Sequence, residues 1–215
     1  MIAYVGLTSD TTFVEEIRRR HIGRIQQRGL LRLKAIYKGE RWIFDNGAYS
    51  DFLAKRPFDG DQYLKDVGAI QALESTTPMF CVVPDMVGKG ERSLAFSLDW
   101  LNRIPFTWRR YLVVQDGMTQ SMVAPVIEQF DGIFLGGTDA FKSTAWVWSS
   151  WAHNLGMPFH YGRASTPKKL THAWEVGSDS CDTSFPLWTR ERMHLFLKMA
   201  DRMAVTSPNP DRLFA

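Results

Sequence analysis

The sequence predicts an α/β fold, a compact TIM-type (β/α)8-like barrel that is irregular or incomplete in places. Three observations predict it. Short apolar runs alternate with longer amphipathic stretches, the pattern of repeated βα units around a parallel sheet. Seven such units are countable, and an eighth has room to hide near residues 29–37. Polar or glycine residues close nearly every run, and in a βα barrel those closing residues converge on one face.

The elements follow in chain order. Strands are expected over 2–6, 42–45, 79–84, 111–115, 132–136, 158–161 and 176–181, each a short run rich in apolar, β-branched or aromatic residues. A helix capped by Thr11 or Thr12 is expected to run to about residue 33, carrying Phe13, Val14 and Ile17. Further helices are expected over 59–73, 90–103, 119–130, 140–154 and 166–174. A last one, 189–203, turns Met193, Phe196, Leu197, Ala200 and Met203 to the core. The closing segment SPNPDRLFA has turn residues and no periodicity, so residues 1–205 read as one α/β barrel domain and 206–215 as a C-terminal tail. Trp146, Trp148 and Trp151 are expected to pack the helix ring.

Composition bounds the class. A chain of 215 residues with 45% hydrophobic content buries one sizeable core, and no apolar stretch approaches the roughly 20 residues of a membrane span. The first residues carry no positive n-region. The expectation is a soluble, unexported, cytoplasmic protein with no membrane partner, in which Cys81 and Cys181 stay reduced. The net charge of +3 is too small to imply a polyanionic partner by itself, but residues 18–41 hold nine arginines and lysines against Glu40 alone. On the expected first helix, Arg20, Arg24 and Arg28 recur every four residues as one stripe, either a solvated face or a set of phosphate contacts.

The strand ends carry the chemistry. Asp45, Asp85 and Asp182 are three carboxylates at such ends. Glycosidic chemistry needs one group to attack or stabilise an oxocarbenium carbon and another to manage the leaving group's proton. Composition leaves their roles unassigned. Gln115 offers an amide that donates and accepts toward a heterocycle edge, and Tyr49 and Tyr161 could stack on the two faces of a planar base, although each also reads as a rim or core residue. Lys142 and Arg163 are candidate phosphate contacts at the barrel mouth. Asp179, three residues before Asp182, reads as a turn or capping carboxylate, with an attacking role as the alternative. The five histidines lack metal-ligand spacing, and His160 and His172 read as supporting residues.

In sequence order, FDNGAY (44–49), VVPDM, YLVVQDG, FLGGT, HYGRASTPKKL and VGSDSCDTS resemble the strand-end motifs of the queuine-type tRNA-guanine transglycosylases, from about Trp42 to Trp188. The resemblance implies that Asp182 is the covalent nucleophile and Asp45 the proton donor and acceptor. It implies that Asp85 reads the purine edge, that Gln115 and the Gly136–Gly137 backbone contact the base, and that Tyr49 and Tyr161 cover its faces. The tRNA enzymes carry a C-terminal zinc site of clustered cysteines, and no cysteine follows Cys181, so a zinc subdomain is not expected. The chain is thereby more similar to the DNA-guanine transglycosylases of phages and bacterial modification clusters. The implied activity is replacement of guanine in DNA by a free 7-deazaguanine base, with no metal or cofactor, within a modification system that includes partner proteins. The alternatives are the same exchange on tRNA, a base-releasing glycosidase, and a non-catalytic nucleic-acid-binding subunit.

Overall fold

A computed structural model describes residues 1–36, 39–73 and 76–205, the side chains of 204 and 205 excepted. The proposed tail, 206–215, lies outside the described residues. Eight strands, β1 (Ile2–Val5), β2 (Gly23–Gln27), β3 (Trp42–Asp45), β4 (Cys81–Val82), β5 (Arg110–Val114), β6 (Gly132–Leu135), β7 (Phe159–Tyr161) and β8 (Ser180–Thr183), close into a barrel. Every strand is parallel to its neighbours, and β8 returns to β1 through Ile2↔Ser180 to Val5↔Thr183. The helices are α1 (Thr11–Arg19), α2 (Ala48–Leu53), α3 (Gly60–Gln71), α4 (Glu91–Leu101), α5 (Gln120–Val123), α6 (Asp139–Lys142), α7 (Ala145–Asn154), α8 (Pro167–Glu175) and α9 (Arg190–Val205). The expected (β/α)8 barrel is therefore the observed one, and it is closed.

Alternation along each strand divides the core in two. Tyr4, Ile43, Phe80, Val82, Tyr111, Val113 and Phe134 fill the barrel interior, with Phe80 and Tyr111 stacked at 3.9 Å and 5°. Val5, Trp42, Phe44, Leu112, Leu135 and Tyr161 face the helices. Two interior rings need glycines beside them: a Cβ on Gly23 would lie 2.3 Å from the Tyr4 ring, and one on Gly132 would lie 2.6 Å from Tyr111. Trp148 and Trp151 pack the outer ring as expected, whereas Trp146 is exposed. Cys81 and Cys181 are free and buried. Among the described residues no helix is long and apolar enough to cross a membrane.

The expected helix over 11–33 is corrected. Asp10, not Thr11 or Thr12, caps α1 by accepting from Phe13 N–H at 3.0 Å. The helix stops at Arg19, His21 takes a left-handed φ of 55°, and the missing eighth strand, β2, follows at once. The Arg20–Arg24–Arg28 stripe therefore does not exist. A spacing of four satisfies a helical face, but it also satisfies the two-residue period of a strand. Arg24, Gln26 and Arg28 are one buried face of β2 and its end, alternating with Ile25 and Gln27.

Candidate active site

All eight strands end on one face, and Asp45, Asp182, Gln27, Asp116, Gly137 and Arg163 line a single open cavity there. β3 delivers Asp45, which sits inward because Ile43 does. Its Oδ1 accepts from Gly47 N–H at 2.8 Å, a bond made possible by the left-handed turn at Gly47, φ 71°. Burial pushes the Asp45 carboxyl up to about 6, and the charges of Asp182 and Asp85 add to the effect against the Gly47 bond and Arg28. Asp85 is likewise pushed up to about 6 by burial, opposed by hydrogen bonds from Asn46 at 2.9 Å and Gln115 at 3.0 Å.

β8 delivers Asp182. Its Oδ1 accepts from Arg163 N–H at 3.0 Å and lies 3.0 Å from His160 Nε2. Burial holds the His160 imidazole below its ordinary value, against the bond to Asp182; because an ionised carboxylate only accepts, Nε2 faces it as the donor, and Nδ1 lies 2.7 Å from Ser180 Oγ. Both bonds fall on one oxygen. Asp182 Oδ2 is left without a partner among the described residues, on a side chain that lines the cavity. A carboxylate held by one oxygen and free at the other is oriented for attack by the free one.

Arg163 closes the mouth from the other side. Its φ of 53° is rare for a side-chain-bearing residue, and that turn aims its own N–H at Asp182. Its guanidinium crosses to the Tyr49 ring, 3.9 Å from the centroid, and donates to Gly137 O at 2.7 Å. Lys142 lines the same wall but gives its Nζ to Gly162 O, and burial, with Arg163 nearby, pulls its ammonium down to about 7.

Several expected roles change. Tyr161 does not face the cavity: His160 occupies the inward position of β7, so alternation turns Tyr161 outward, against His172 and under α8, and it covers no base. Gln115 spends its amide internally, donating to Asp85 and to Ser93 Oγ at 2.8 Å and accepting from Gly88 N–H at 2.6 Å, so it positions Asp85. Gly136 N–H is bonded to Val114 O at 2.8 Å, while Gly137, φ 78°, lines the cavity where a Cβ would meet Asp116 Oδ2 at 2.6 Å. Arg20 pairs with Glu16 and Asp201 at the opposite end of the barrel. Arg24 is buried 3.7 Å from Glu40, and Arg28 is buried against Asp51, Gly47 O and Asp59 O. None of the three is free for a phosphate.

Asp179 precedes β8 at the opposite end. It accepts from Phe159 N–H at 2.8 Å and contacts His153 at 3.0 Å, so it is the structural carboxylate of the pair. Sequence reading missed Asn46 and Ser93, whose signal is faint, and the His160–Asp182 contact. The polar His160 between Phe159 and Tyr161 in a buried strand was its visible sign. A scan with protein-family models matches none to this chain, and a search of curated proteins likewise finds no match.

Proposed function

We propose that the chain is a base-exchanging transglycosylase that replaces guanine in DNA with a 7-deazaguanine through a covalent Asp182–sugar intermediate. One observation carries the reading. A carboxylate with one oxygen anchored and one open, Asp182, shares a cavity with a carboxyl whose value of about 6 keeps a protonated fraction near neutrality, Asp45. The order and chemistry of the strand ends, which resemble the guanine transglycosylases, support the same assignment.

The target nucleotide leaves the stack because C1′ is out of reach inside a duplex. Asp182 Oδ2 bonds to C1′ as the C1′–N9 bond breaks, and the bond pair leaves with guanine while Asp45 gives that base a proton. An incoming 7-deazaguanine loses its N9 proton to Asp45, attacks C1′ and expels Asp182. Atoms and charge balance, and Asp45 ends protonated as it began. Asp85, neutralised in part by burial and held on one oxygen by Asn46 and on the other by Gln115, is to reach the purine edge from behind the cavity wall. Tyr49 stacks on one face of the base once Arg163 moves aside.

The test incubates DNA and tRNA separately with radiolabelled guanine or a labelled 7-deazaguanine. Label in DNA is the expected result. Label in tRNA alone moves the substrate, and label in neither polymer overturns the exchange reading.

A further inference from the structure

The barrel mouth is unusually rich in exposed apolar side chains along one side. Phe52 of α2 is 53% exposed and Leu30, after β2, is 62% exposed, and both line the cavity lip. Trp188, just past the turn Phe185–Leu187, is 67% exposed. Its indole N–H reaches Ser184 Oγ, a cavity residue, at 3.4 Å, and Leu187 lies over the end of β1, 3.0 Å from a Cβ built on Gly6. Because β8, β1, β2 and β3 are consecutive around the barrel, these residues form one arc from Trp188 to Phe52. The arc begins beside Asp182 and ends beside Asp45.

Cations interrupt it. The Arg192 guanidinium lies 6.0 Å from the Trp188 ring centroid, Arg32 is exposed on the lip, and Arg163 stacks on Tyr49, itself 6.3 Å from Phe52 and nearly parallel at 26°. Aromatic faces flanked by arginines are what successive unstacked bases and their phosphates require.

We propose that this arc docks single-stranded DNA, with Phe52 and Trp188 stacking on the nucleotides that flank the one taken into the cavity. The inference rests on the cavity acting on a nucleobase, and it adds that the flanking strand is held by stacking on these two rings. It follows that the enzyme prefers an unpaired or locally melted stretch, because paired bases present no free faces to either ring.

The experiment is fluorescence anisotropy of a labelled single-stranded oligodeoxynucleotide titrated with the full chain and its variants. Phe52→Ala and Trp188→Ala should each weaken binding by about tenfold, and Trp188→Phe, which keeps a ring, should restore most of it. Phe106→Ala removes an aromatic that is 86% exposed before β5, at the opposite end of the barrel, and should change nothing. Wild-type affinity in both Phe52→Ala and Trp188→Ala overturns the proposal. So does a concentration-dependent dimer that both variants dissociate while DNA binding stays intact. Asp182→Asn should bind the oligonucleotide normally. Ring-dependent binding without any base exchange would leave the arc standing and remove the transglycosylase reading. Exchange that ignores both rings would do the reverse.

Discussion

The two ends of this barrel are built from the same strands and solve different problems. At the N-terminal end, several charged groups pair with one another or with backbone: Asp179 with His153 and the Phe159 amide, Arg110 with Asp131, Arg20 with Asp201. There the glycines Gly23 and Gly132 let the tyrosine rings close the barrel interior. At the C-terminal end, two carboxyls are pushed up to about 6 by burial, an arginine holds a left-handed φ, and Asp182 keeps one oxygen uncommitted. The first end is closed by packing and ion pairs, and the second gathers buried acids around a carboxylate with an uncommitted oxygen. Asp179 and Asp182, three residues apart, fall on opposite sides of that division.

The largest effect that sharpens the contrast is Asp182→Asn. The amide oxygen still accepts from Arg163 and His160, so the fold should hold while label exchange falls by about 10⁴-fold. Asp179→Asn should leave exchange per folded molecule unchanged, and a comparable loss there would break the division between the ends. Next is Arg28→Ala, which leaves buried Asp51 with Arg56 as its one ion-pair partner beside the Asp59 amide and should cost about 3–5 kcal/mol in urea unfolding. Arg20→Ala, at an exposed network, should cost under about 1 kcal/mol. Gly23→Ala should cost about 1–3 kcal/mol by driving a methyl into Tyr4, with exchange by the folded fraction intact.

The smallest effect is on pH. On the proposed exchange Asp45 must be protonated to serve the leaving base, so exchange should decline as pH rises through about 6, and the profile belongs jointly to Asp45 and Asp85 because their charges interact. The linkage has the same sign. A carboxyl whose folded value is raised contributes stability fully present below its ordinary range near 4 and lost as pH rises through about 6. Asp45→Asn, which still accepts from Gly47, should therefore lose less stability than wild type between pH 4 and 7. Equal losses in both proteins would mean that Asp45 is solvated as an ordinary carboxylate.

Much of the fold was legible because seven strands are apolar runs, and burial on both faces of a parallel strand demands such runs. The eighth was not, since β2 and the residue after it bury Arg24, Gln26 and Arg28 and look polar in the chain. Charged residues so placed are stable only through partners far away in sequence, Glu40 for Arg24 and Asp51 for Arg28. For the candidate site, strand-end position was enough to bring Asp45 and Asp182 to one cavity, while Asp85 lies buried behind it on Asn46 and Gln115. Facing was a harder matter. His160 and Tyr161 are adjacent, and a shift of one residue exchanges which of them looks into the barrel.

By itself the sequence determined the barrel, the face on which its strand-end carboxylates gather, and the absence of an apolar stretch of membrane-spanning length. Periodicity and turn chemistry are local, and they survive translation into structure without knowledge of distant neighbours. Only the tertiary structure decided that the arginine stripe is a buried strand face, that Gln115 serves Asp85, that Tyr161 looks away, and that His160 and Arg163 steer Asp182. Each of those is a contact between segments separated by tens of residues, set by how strands stagger around a closed cylinder.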